Sequence, residues 1–193
     1  MIIRNFEDKD IELASKITHL VWGDLYTNES EELQKLIYDF MIVYYDLNRK
    51  YSFSVLNEDL KAFLLSGLKN DKNNSQETYK QKILKLSDEK EQKIAMELLE
   101  YLEYCGQEVK SLMNDNDVML NLFISRQKGC GKFLLEKLSD ICRADNIKNI
   151  YLWTDTTCDY SYYKKNSFDI VKETSRIVNS KNIKTIIYRK ILN

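Results

Sequence analysis

Proline is absent from the 193 residues, glycine occurs only five times and histidine once. With so few glycines, each one marks a place where the backbone needs special freedom. Cys105, Cys130, Cys142 and Cys158 form no C-x-x-C pair, and a single histidine completes no ligand spacing, so no metal site is expected. A disulfide framework is not expected in a chain of this length either. No run approaches the ~18 apolar residues of a membrane span. The opening segment Met1–Asp8 has no apolar signal core and turns acidic at once, which predicts a cytoplasmic protein. Neither charge is in excess: 29 Lys plus Arg stand against 30 Asp plus Glu. That balance creates no overall field to draw nucleic acid or an anionic membrane, and neither is expected as a partner.

What is present describes a globular chain, 44% apolar and 31% charged. Its length suits one domain, residues 1–193, that buries roughly 70% of its unfolded surface without staples. Ile2–Phe6 reads as a first strand. Asp8 and Asp10 can cap a helix whose apolar residues Ile11, Ala14, Ile17 and Val21 recur every three or four positions, until Gly23 stops it. Asn28-Glu29-Ser30 opens a second helix, with Leu33, Leu36, Ile37, Phe40 and Tyr44 on its apolar face. The period then drops to two at Tyr51, Phe53 and Val55, and a turn at 57–59 leads to a hairpin partner at Leu60–Leu65. Lys69–Gln76 is polar and reads as a loop. Tyr79–Met113 carries an amphipathic stripe broken near Ser87-Asp88, which predicts an inserted helical pair at about 70–116. Its a/d repeat is too short for a coiled coil. Val118–Ile124 is a buried strand, Gly129–Ala144 a helix with Phe133, Leu134, Leu138 and Ile141 inward, and Ile150–Thr154 a strand. A short helix at Tyr160–Lys165 and strands at 168–171 and 185–188 complete the order β-α-α-β-β-(α-α)-β-α-β-α-β-β.

The clearest chemical signal is the strand–turn–helix at 118–144. Two of the five glycines, Gly129 and Gly131, sit where a buried strand turns into a helix. Glycine permits close backbone approach, and the free N–H groups of a first helical turn converge with the positive end of the helix dipole. Arg126, Lys128 and Lys132 add charge. This pattern points to a phosphate or diphosphate ligand, although a tight turn that merely caps a helix would use the same residues. The G-x-x-x-x-G-K-[ST] spacing of a P-loop is missing, and Leu134 stands where a dinucleotide fingerprint needs its third glycine.

The segment Arg126-Gln127-Lys128-Gly129-Cys130-Gly131 resembles the Q/R-x-x-G-x-G/A turn of the GNAT N-acetyltransferase superfamily, with Arg126, Gly129 and Gly131 at its defined positions. A second match follows: Tyr162-Tyr163-Lys164-Lys165-Asn166-Ser167-Phe168 resembles the family's F/Y-Y-x-x-x-G-F segment, with Ser167 in place of the usual glycine. The resemblance covers 118–171 well, 1–66 only by element order, and the insert not at all. It implies an α/β (α+β) fold with a mixed, mostly antiparallel sheet whose central strands splay. It also implies that acetyl-coenzyme A is held by the backbone of Leu122, Phe123 and Ile124, by the turn Arg126, Gln127, Lys128, Gly129, Cys130, Gly131 and Lys132, and by Thr156. Tyr163 would then protonate the leaving thiolate.

The implied reaction moves an acetyl group from acetyl-coenzyme A to a primary amine of a small molecule or peptide. A non-catalytic acetyl-coenzyme A sensor and a helical interaction protein are the other readings. No residue plainly claims the role of general base. Asp155 is a candidate, though an aspartate there also suits capping the next turn. His19 reads as structural, and Cys130 and Cys158 as packing. The insert, together with Tyr26, Tyr44 and Tyr45, is expected to wall the acceptor pocket, so that deleting it changes acceptor choice and spares coenzyme binding. Oligomeric state is left open, a homodimer being one option.

Overall fold

The computed structural model describes residues 1–178 and 181–192. It contains strands β1 (Ile2–Asn5), β2 (Phe53–Asn57), β3 (Asp59–Leu68), β4 (Val118–Ser125), β5 (Asn149–Asp155), β6 (Asp169–Val178) and β7 (Lys181–Ile191). The helices are α1 (Ile11–Trp22), α2 (Glu31–Tyr45), α3 (Ser75–Ile83), α4 (Glu89–Lys110), α5 (Cys130–Ala144) and α6 (Ser161–Lys165). The strands form one sheet in the order β1-β2-β3-β4-β5-β7-β6. Every neighbouring pair is antiparallel except β4 with β5. The fold class and element order expected from the sequence are therefore present. No helix among the described residues is long and apolar enough to cross a membrane.

Side-chain alternation divides the core into two layers. On one face α1, α2, α3 and α4 bury Leu33, Ile37, Tyr79, Leu99 and Leu102 against Phe63, Leu65 and Leu122. On the other, α5 buries Leu134, Leu135 and Leu138 against Val55, Leu64, Leu120, Ile150 and Leu152. Each fully buried side chain of this size contributes roughly 1.5–3 kcal/mol. Phe133, expected inward, is exposed.

The helical pair at 75–110 is part of the first layer. Leu99, Leu102 and Cys105 of α4 share one cluster with the sheet residues Phe63 and Leu122. Its start is fastened to α2: the N–H and the hydroxyl of Ser30 donate to the two Glu91 carboxylate oxygens at 2.8 and 3.0 Å. Ser30 Oγ in turn caps α2 by accepting from Leu33 N–H. Deleting the pair would strip this core, so a deletion cannot separate acceptor choice from folding.

Three local differences from the sequence reading have physical reasons. Asp10 does not cap α1 with its side chain. Its carboxylate instead takes a forked pair from Arg4, at 2.7 and 2.6 Å, and a bond from Ser54 at 2.8 Å. The β6–β7 hairpin is longer than its apolar runs, because the polar stretch Thr174-Ser175-Arg176 is held by pairing with β7 rather than by burial. Ser167, in the glycine position of the second motif, has φ +63°. A left-handed residue with a Cβ is strained, so Ser167→Gly should stabilise the fold by about 0.5–1 kcal/mol. Urea unfolding midpoints check this, and an unchanged or lower midpoint would contradict it.

Candidate active site

The β4–β5 junction sets the site. These parallel strands pair only at Val118↔Ile150 and Met119↔Tyr151. Beyond that point β4 has a partner only in β3, and β5 only in β7. The β3 ladder shifts register so that Leu65 faces Leu122 while Ser66 faces Leu120, which leaves Asn121 as the extra residue of a bulge. A bulge bends its strand and increases local twist, which turns β4 away from β5. The result is a wedge, open toward the C-terminal ends of both strands. One wall is an unpaired stretch of β4 backbone that includes Leu122, Phe123 and Ile124.

The glycine turn lies where that wall ends. Arg126 N–H is tied to the Lys61 carbonyl of β3 at 3.0 Å. Cys130 N–H then donates to Gln127 O and Phe133 N–H to Gly129 O. Among the described residues the amides of Gln127, Lys128, Gly129, Gly131 and Lys132 have no acceptor. Gly129 is left-handed at φ +90°, and a Cβ built there would meet nothing within 4 Å. Five free N–H groups around an open turn at a helix start are donors that could hold an anion. Arg126 and Lys128 are exposed and form no ion pair among the described residues, while Lys132 stands 3.7 Å from Glu136. This donor set fits a diphosphate.

Gly131 allows a close approach of side chains. A Cβ there would lie 2.9 Å from Tyr162 Oη and 3.0 Å from Phe123 Cζ. The rings of Phe123 and Tyr162 meet at 5.8 Å between centroids. Tyr162 therefore closes over the turn from α6. Sequence reading missed it as a site residue, although it is the first aromatic of the second motif.

Tyr163 sits beside it. Its ring packs edge-on against Phe168 and Tyr162 and tilted against Tyr188, with centroids 5.6–5.8 Å apart. Its hydroxyl has no hydrogen-bond partner among the described residues. Burial, with smaller contributions from Cys158 and Tyr162, pushes the phenol above its ordinary value and keeps it protonated. Thr156 is exposed, and its N–H is tied to Lys184 O of β7 at 3.1 Å. No hydrogen bond joins it to the glycine turn.

Asp155 ends β5 almost fully buried. Its Oδ1 accepts from Thr157 N–H at 2.8 Å, which caps the turn, and its Oδ2 accepts from the Tyr101 hydroxyl at 2.9 Å. Tyr101 comes from α4 and was not singled out in the sequence, because a helix stripe of apolar residues hides one hydroxyl that points into a site. Cys105 lies in the same cluster, and burial pushes its thiol up to about 12. His19 stacks on Tyr38 at 4.8 Å in the first layer, a packing role.

No family model matches the chain, and no curated protein matches it by sequence. Solved structures do match over its whole length. Ard1 from Thermoplasma volcanium is 17% identical, with a TM-score of 0.56 over 100% of this chain and 97% of that one. Aminoglycoside 6'-acetyltransferase type Ii is 14% identical, with a TM-score of 0.57 over 100% and 98%. An aminoglycoside 6'-N-acetyltransferase complexed with coenzyme A is 13% identical, again at 0.57 over 100% and 98%. The class of fold is thus an acetyltransferase one. More particularly, it is the fold of the GNAT superfamily.

Proposed function

We propose that the protein transfers an acetyl group from acetyl-coenzyme A to a primary amine. The observation that carries this reading is the row of five free amides at 127–132, placed where the unpaired edge of β4 ends. When bound, acetyl-coenzyme A supplies a thioester for an amine to attack. The turn amides, with Arg126 and Lys128, hold the diphosphate. The free β4 edge at Leu122–Ile124 pairs with an extended arm as an added strand would. A backbone N–H on this edge polarises the carbonyl, and the Tyr163 hydroxyl gives its proton to the departing sulfur. The neutral amine attacks, and its extra proton leaves through solvent or a base.

Transfer from labelled acetyl-coenzyme A across a panel of amines tests the reading, and coenzyme uptake without transfer to any amine would turn it into a sensor. Gly129→Val should raise the coenzyme A Kd at least about tenfold, because a β-branched residue at positive φ forces the turn to rearrange. Titration calorimetry measures this. An unchanged Kd would take the turn out of coenzyme binding.

A further inference from the structure

Four buried side-chain polar atoms lack any partner among the described residues: Tyr45 Oη, Asn121 Nδ2, Trp153 Nε1 and Arg189 Nε. Buried polar atoms are nearly always paired, so each of these needs a cause. Asn121 and Trp153 lie on the two strands that part at the wedge, and Tyr45 shares a core cluster with Trp153 and Tyr101, whereas Arg189 pairs opposite Tyr151 on the side of β5 away from β4. Trp153 on β5 and Arg189 on β7 flank Tyr151 and Ile187 on the sheet face that α4 covers. Asn121 is the bulge residue of β4. Asn121 on β4 and Trp153 on β5 each stand two residues past the last β4–β5 pair, Met119↔Tyr151. Tyr45 reaches in from α2 and is 4% exposed. Burial, with smaller contributions from Tyr44, Cys105, Tyr101 and Asp155, lifts its phenol well above the ordinary value, and its ring belongs to the same core cluster as Tyr101. Tyr101 also stands edge-on to the Trp153 ring at 5.5 Å.

Tyr45 Oη, Asn121 Nδ2 and Trp153 Nε1 can each donate a hydrogen bond, and Asp155, which is joined to Trp153 through Tyr101, can only accept. We propose that this donor-rich wall is the acceptor subsite and that it selects amines carrying oxygen acceptors on the carbons next to the nitrogen. Amino amides and amino sugars have that pattern, and oligoamines do not. The inference rests on the acetyl-transfer reading above. An amine that brings oxygens gives Tyr45, Asn121 and Trp153 their missing partners, and Asp155 draws the nitrogen. A hydrocarbon amine leaves those donors buried and unpaired, and sites built to bond a substrate oxygen reject analogues that lack it far more strongly than they reject a change of one methylene.

The test compares kcat/KM for glucosamine and serinamide with that for 1,4-diaminobutane and butylamine, in the wild type and in Tyr45→Phe, with coenzyme A calorimetry alongside. The wild type should favour the oxygen-bearing pair at least about tenfold, and Tyr45→Phe should bring the ratio toward one. Its melting temperature should hold or rise, because the hydroxyl it removes has no partner. Coenzyme uptake with equal turnover of both pairs overturns this inference alone, and coenzyme uptake with no turnover of any amine overturns it together with the acetyl-transfer reading. A preference that survives Tyr45→Phe and Asn121→Ala overturns it too. Absence of coenzyme uptake removes the acetyl-transfer reading and this inference with it.

Discussion

Replacing Tyr163 by phenylalanine should lower kcat for acetyl transfer about 100-fold, while coenzyme affinity stays within about twofold. The ring is held by Phe168, Tyr188 and Tyr162, and none of those contacts uses the hydroxyl. Removing one oxygen therefore leaves the packing intact and takes away only a proton donor. Burial holds the phenol above its ordinary value, so it remains a donor throughout the neutral range. The wild-type rate should accordingly show no fall from this group as pH rises from 6 to about 9. Steady-state kinetics with calorimetry separates the two effects. An unchanged kcat would remove Tyr163 from the mechanism.

The second large effect concerns stability. Asp10→Ala should destabilise the fold by about 3 kcal/mol, because it strands the Arg4 guanidinium and the Ser54 hydroxyl and leaves a hole between β1, β2 and α1. The side chain is 1% exposed. Burial alone would raise its carboxyl, but the bonds from Arg4, Ser54 and the Glu7 N–H outweigh that and hold it below its ordinary value. A folded-state value lower than the unfolded one adds stability that is complete above the unfolded value and drains away as pH falls through the folded one. The wild type should thus lose stability from about pH 4 downward by more than Asp10→Asn does. Urea midpoints at pH 7, 4 and 3 measure it, and parallel curves for the two proteins would show that Asp10 is not the group responsible.

Much of the site could be read from the chain because its signals are local. Gly129 is left-handed, as a rare glycine in a tight turn suggested, and Gly131 permits a close approach. The turn amides are free because a helix start always leaves them so. Ser167, where the resembling motif has glycine, adopts a left-handed backbone. Tyr101 and Trp153 were not legible in the same way. Each sits on an ordinary apolar stripe, and only the approach of α4 to β5 turns them toward one another. The insert was visible as helix, but its share in the main core was not, since a stripe records that a face is buried and not what buries it.

By itself the sequence determined the order of elements, the extent of most helices and the glycine turn between β4 and α5, because periodicity, caps and glycine placement act over a few residues. Tertiary structure alone decided where β4 and β5 part, which residue forms the bulge, and that the Tyr101 hydroxyl of α4 meets the Asp155 carboxylate of β5. Those outcomes depend on pairing between segments dozens of residues apart, and no local pattern specifies the register that such pairing adopts.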